Sequence, residues 1–183
     1  MTLQYGTLLL LFLLIFQSCQ PQDAAAVQGV EKPFFDLKSY FEQEKNRLAQ
    51  LSNFTKTTTV DGQTETKKIP RLNLDNEFRI FLESDINRPA WFGKFAIDSS
   101  FTADNLSKIT YTAQEEDMEI QNVTVDFAQS AVQKISIQKK ATTVLADTQF
   151  ELIYEPDRGY SIENKQQLTV GDDKNFLVTV ILP

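Results

Sequence analysis

From Lys108 onward, apolar residues recur at every second position: Ile109, Tyr111 and Ala113, then Met118 and Ile120, then Val123, Val125 and Phe127. That alternation is what a half-buried strand requires, because successive side chains point to opposite faces. Segments 132–139, 143–154, 160–170 and 176–182 repeat it, with turns expected at Gln129-Ser130, Lys140-Ala141, 156–159 and 171–173. The phase slips near Asn122, which predicts a β-bulge. Connections this short admit only antiparallel neighbours, since a parallel return needs about a dozen connecting residues. The pattern therefore predicts an up-and-down meander of about six strands.

Ahead of Lys108 the period is helical in two places. Phe34, Leu37, Phe41, Leu48 and Leu51 fall on one stripe of a helix over 34–51 that Pro33 opens, with Lys38, Glu42, Glu44, Lys45, Asn46 and Arg47 on the opposite face. Phe78, Phe81, Leu82 and Ile86 mark a second helix, capped by Asn73 or Asp75 and stopped at Arg88-Pro89. Between them, threonine-rich flanks around Asp61-Gly62 predict a largely polar hairpin with a turn that needs two positive φ angles. Its lysines suit an edge position. Trp91 is expected in the core, clamped under the turn that follows the second helix, with a strand over 92–98. The fold class is α+β: a curved antiparallel meander of about six strands, two N-terminal helices covering its concave apolar face, and the polar hairpin beside it.

The beginning of the chain follows neither period. Leu8 to Phe16 is continuously apolar and closes on Gln17-Ser18-Cys19, with the one cysteine of the sequence at its end. Such a run is shorter than the roughly 20 residues a membrane-spanning helix needs. It resembles a bacterial lipoprotein signal peptide over 1–18, which implies cleavage before Cys19 and acylation of its thiol and new amino group. Two or more acyl chains anchor stably, each buried methylene contributing about 0.8 kcal/mol. The alternative is an ordinary signal cleaved elsewhere, which leaves Cys19 without a role. Residues 19–32 are small and polar and read as a tether spanning on the order of 20 Å, leaving 33–183 as a single domain.

Composition narrows the function more by exclusion than by assignment. A net charge of −7 is unsuited to nucleic acid, whose binders carry a basic face. The chain contains no histidine, which excludes Ser-His and Cys-His nucleophiles and the usual zinc sites. No phosphate-binding glycine loop, nucleophile elbow or calcium loop is present in the sequence. No cofactor is expected.

Carboxylates are the available catalytic groups: Glu83, Asp85, Glu115, Glu116, Asp117, Asp172 and Asp173. A hydrolase would need two of them at a set separation. Glu115 to Asp117 and Asp172-Asp173 fall in expected turns, where acidic residues serve turn geometry and solubility. The stretch Asp85-Ile86-Asn87-Arg88-Pro89-Ala90-Trp91 is the more specific candidate. Arg88 has a planar fork suited to a carboxylate or phosphate, with Trp91 beside it to stack. The competing reading has Arg88 answering the carbonyls at a helix C-terminus and Trp91 filling the core.

Phe34-Phe35-x-Leu37, the hairpin through Asp61-Gly62 and the stretch 81–91 together resemble a group of uncharacterised lipoproteins from Bacteroidetes. The resemblance implies an envelope location and no particular chemistry. Only Asp23 follows the cysteine closely, which points to an outer-membrane protein facing the periplasm rather than one displayed outside. The expected function is that of a membrane-anchored, non-catalytic binding or assembly-accessory domain whose partner is an envelope protein or glycan. The alternatives are a carrier holding an apolar ligand between sheet and helices, lined from the chain's 14 phenylalanines, and a carboxylate-dependent hydrolase.

Overall fold

The computed structural model describes residues 32–103 and 105–183. Cys19, the signal segment 1–18 and nearly all of the tether lie outside the described residues.

Among the described residues, nine strands form one antiparallel sheet: β1 (Phe54–Val60), β2 (Gln63–Ile69), β3 (Phe95–Thr102), β4 (Asn105–Ala113), β5 (Ile120–Ala128), β6 (Ala131–Thr142), β7 (Ala146–Glu155), β8 (Gly159–Leu168) and β9 (Lys174–Ile181). Their spatial order is β2-β1-β9-β8-β7-β6-β5-β4-β3. Strands β3 to β9 make the meander, and β1 then pairs with β9, with Lys56 opposite Val180 and Thr58 opposite Val178.

The expected count of about six strands is thus corrected to nine. The six expected strands, β4 to β9, are extended at one edge by β3 and at the other by the hairpin, which belongs to the sheet rather than lying beside it. Asp61 secures that junction: its N–H donates to the Asn175 carbonyl at 2.9 Å, and its Oδ1 accepts from the Asn175 N–H at 3.0 Å. As anticipated, the Asp61-Gly62 turn uses two positive φ angles, 48° and 86°, and the lysine-bearing β2 is an edge strand.

The helices are shorter than their apolar stripes, and they are not both N-terminal to the sheet: α1 (Leu37–Leu48) precedes the hairpin and α2 (Leu74–Leu82) follows it. Asp36 caps α1 by accepting from the Ser39 N–H at 3.0 Å, which starts the helix three residues after Phe34. Asn73 caps α2. This second helix stops at Leu82 instead of running to Arg88, because the next residues close it locally. Ser84 Oγ donates back to the Ile80 carbonyl at 2.7 Å, and Asp85 Oδ1 accepts from the Asn87 N–H at 3.2 Å. The turn expected at Lys140-Ala141 falls instead at Thr143 to Leu145, where Thr143 Oγ1 accepts from the Leu145 and Ala146 N–H groups. Strand β6 consequently continues to Thr142.

Register sorts the sheet into two faces. Phe54, Val180, Tyr160, Tyr154, Leu152, Ile135, Ile137, Val123, Val125 and Tyr111 lie on the face that meets the helices, and all are buried. Leu37, Phe41, Leu48, Phe78 and Phe81 cover them from above. The rings interlock, with centroids 4.9 Å apart for Phe41 and Phe81, 5.3 Å for Phe41 and Tyr154, and 5.6 Å for Phe78 and Tyr160. Burying each such side chain contributes about 1.5–3 kcal/mol, and each well-oriented ring pair roughly 0.5–1.5 kcal/mol beyond that. The opposite face is polar, and facing threonines bond across it, as Thr57 and Thr66 do at 3.0 Å.

Candidate functional site

Of the residues singled out by sequence, Arg88 and Trp91 come together. The guanidinium carbon of Arg88 stands 4.2 Å from the centre of the Trp91 ring. The fork is already engaged: Nη2 donates to the Glu83 carbonyl at 2.5 Å, and Nη1 lies 3.9 Å from Glu119 Oε2. Glu83 is the C-cap of α2, so Arg88 answers the helix carbonyls. Trp91 departs from expectation. It ends a short 3-10 turn, Pro89–Trp91, and is half-buried against Phe95 at 6.3 Å rather than sealed in the core. The ring lies at the core margin, near Phe95 and with Arg88 over it.

The most connected residue of that stretch is one that sequence reasoning passed over. Asn87 Oδ1 accepts from the Phe34 N–H at 3.1 Å, while its Nδ2 donates to the Phe35 carbonyl at 3.1 Å and to Asp85 Oδ1 at 3.1 Å. The Tyr111 hydroxyl accepts from the Phe35 N–H at 2.9 Å. Phe34 then packs edge-on against Phe95 and Tyr111. The stretch 85–91 therefore fastens the chain where it enters the domain.

The carboxylates are dispersed. Glu115 pairs with Lys94 at 2.9 Å on the surface, and Asp173 Oδ1 accepts from the Leu168 N–H at 3.2 Å in its own turn. Among the described residues, no three His, Cys, Asp or Glu side chains are grouped to hold a metal ion.

Two other carboxylates, Glu44 and Glu77, are more buried and more organised. The Tyr160 hydroxyl donates to Glu77 Oε2 at 2.6 Å, and Lys56 Nζ approaches Glu77 Oε1 at 2.5 Å. The Tyr154 hydroxyl donates to Glu44, which Arg47 also pairs with at 2.7 Å. Arg47 goes on to donate to the Pro156 carbonyl at 2.6 Å. Desolvation, reinforced by the adjacent carboxylates, raises both phenol pKa values well above the ordinary tyrosine range. Each arrangement satisfies one buried hydroxyl at the helix–sheet seam and pins a helix to the sheet. Helical spacing assigned Glu44 and Arg47 to the solvent face; the signal that could have placed them is the need of a tyrosine in an apolar strand for a partner.

A groove of about 450 Å³ is lined by Gln138, Lys140, Gln149, Glu151, Glu163 and Lys165, which register places on the polar face, together with Gln121, Lys139 and Phe150. Glu163 and Lys165 pair there at 3.0 Å.

The largest departure from ordinary surface chemistry is at two adjacent turns. Val144, Leu145 and Val170 are 90%, 76% and 86% exposed. Thr169 joins the turns, its N–H donating to the Leu145 carbonyl and its Oγ1 to the Val144 carbonyl, each at 3.0 Å. The three aliphatic side chains therefore share one tip, where the β6–β7 and β8–β9 connections meet. Alternation cannot reveal them, because they sit where the strands end.

Compared with protein-family models, curated proteins and solved structures, the chain matches none.

Proposed function

We propose that this chain is a cell-envelope lipoprotein, anchored through acyl chains on Cys19 to the outer membrane facing the periplasm. Its domain is a non-catalytic binding or assembly-accessory module that meets an envelope protein through the tip formed by Val144, Leu145 and Val170. The observation that carries this reading is the exposure of three aliphatic residues on two turns that Thr169 bonds together. Isolated apolar surface residues are ordinary, whereas clustered ones mark contact sites. The sheet behind them holds the tip in place, so little conformational freedom is lost when a partner docks.

Packing ranks the alternatives. Where a carrier would hold its apolar ligand, Phe41, Phe78 and Phe81 meet Tyr154 and Tyr160 ring to ring. That filling favours the binding module over a carrier between curved sheet and helices. The separate engagement of Glu115 and Asp173 favours it over a carboxylate hydrolase.

The test has two arms in the native host. Cys19→Ala is expected to move the protein from the membrane fraction to the soluble fraction, and continued membrane retention would remove the anchor from the proposal. A photocrosslinking residue at Val144 or Val170 is expected to give a discrete protein adduct that the same probe at Thr57, on the polar face, does not. Equal labelling from both places would overturn the tip as the contact site.

A further inference from the structure

The two edges of the sheet are built differently. Strand β2 presents Glu65, Lys67 and Lys68, charges that discourage another strand from adding to it. Strand β3 reads Phe-Ala-Ile-Asp-Ser-Ser-Phe-Thr, with no lysine, no proline and a single charge at Asp98. Among the described residues it pairs only with β4, and its other side is open. Ile97 is 53% exposed and Phe101 65%, although register puts Ile97 on the same face as buried Tyr111. The one register shift with β4, between Ser100 and Phe101, takes its extra residue, Ser107, from β4, so Ile97, Ser99 and Phe101 still alternate along β3 onto that face and carry the apolar surface of the core out to the edge.

We propose that β3 pairs antiparallel with β3 of a second copy about a twofold axis through Ser99, continuing the sheet across the dimer. The strand's own sequence selects the second copy as its occupant. In an antiparallel pair, residues that point their N–H and C=O outward must face one another, so a symmetric pairing places its axis on a residue. An axis on Ser99 sets Ile97 opposite Phe101 of the other copy at both ends, giving two apolar cross-strand pairs. It also sets Asp98 opposite the hydroxyl of Ser100, so that no like charges meet. An axis on Asp98 would oppose the two carboxylates, and one on Ser100 would set Phe101 against Ser99. A directly opposed apolar pair stabilises and a like-charged pair destabilises, so composition favours one register of the three. This pairing is independent of the loop tip and of the lipid anchor.

Eight residues of edge and two apolar pairs make an interface at the small end of the specific range. A reversible dimer with a dissociation constant on the order of 1–100 µM is expected. The test uses the full chain in detergent, with Cys19→Ser as the background to remove its one thiol. Sedimentation velocity is expected to show a monomer–dimer equilibrium, and a monomer at every concentration up to several hundred micromolar overturns the proposal. Ser99→Lys places two lysines across the axis and is expected to raise the dissociation constant at least tenfold with the far-ultraviolet circular dichroism unchanged. A dimer that tolerates it uses another surface. Under mild oxidant, Ser99→Cys is expected to crosslink to a covalent dimer in high yield and Ser100→Cys poorly, because only residue 99 faces itself. Equal yields would refute the register.

Discussion

Tyr154 and Tyr160 face each other directly across β7 and β8, yet their hydroxyls serve different helices: Tyr154 donates to Glu44 of α1 and Tyr160 to Glu77 of α2. One cross-strand pair thereby sets where both helices sit. Removing either hydroxyl leaves a half-buried carboxylate with one partner fewer. Tyr154→Phe and Tyr160→Phe are each expected to lower stability by about 1–3 kcal/mol at neutral pH, measured by denaturant unfolding.

The same pair makes the fold sensitive to alkali. Burial raises the pKa of all four tyrosines among the described residues, and the carboxylates add to the effect at Tyr154 and Tyr160. The unfolded chain releases these protons near pH 10 while the folded protein keeps them. Their stabilisation is therefore fully present below about pH 10 and is lost as pH rises beyond it, by about 1.4 kcal/mol per pH unit for each tyrosine still protonated in the fold. Unfolding curves between pH 8 and 11 should show this decline, and the double variant lacking both hydroxyls should show a shallower one. Parallel declines would disconnect the pair from the effect.

Asn87→Ala removes the bonds that hold the backbone of Phe34 and Phe35. A loss of roughly 1–3 kcal/mol is expected. Hydrogen exchange locates it: the Phe34 and Phe35 amides should lose protection more than those of β7. Uniform loss across the domain would mean that the segment is held by its side chains instead.

Gly159 opens β8 with a φ of 130°, and a Cβ there would stand 1.9 Å from the Val180 carbonyl oxygen. Gly159→Ala must move β9 or distort the turn, at a cost of at least about 2 kcal/mol. Gly62→Ala, where a Cβ would meet nothing within 4 Å, retains only the positive-φ penalty and should cost less. Melting temperatures of the two variants give the order, and a reversal would sink the steric account.

Phe41 touches Phe78, Phe81 and Tyr154 with no exposed surface of its own. Phe41→Ala is expected to cost about 3–5 kcal/mol, measured by thermal unfolding, because rings held from three sides collapse poorly into a cavity. Phe92→Ala, at the rim, should cost far less.

Alternation found the strands because it reports a local fact, which side of a strand meets the core. It carried no information on which strands are neighbours when they are distant in sequence. The pairing of Thr57 with Thr179 is invisible to it, and so the hairpin was expected beside the sheet rather than within it. Helical spacing placed Phe41 and Phe81 correctly but sent Glu44 to solvent, since a polar residue at the flank of an apolar stripe can face either way. The Asp85 to Trp91 stretch stands out in the sequence for its mix of charge, amide, proline and indole. Its use depended on Asn87 reaching back to Phe34, a contact between residues far apart in the chain.

The junction of β1 with β9 also orders events in time. Strands β3 to β8 can zip as successive hairpins, each closing over a short loop. Hairpin β1–β2 emerges early but has no strand to rest against until residues 174–181 arrive, and Phe54 and Lys56 wait with it. Completion of the fold is therefore coupled to arrival of β9.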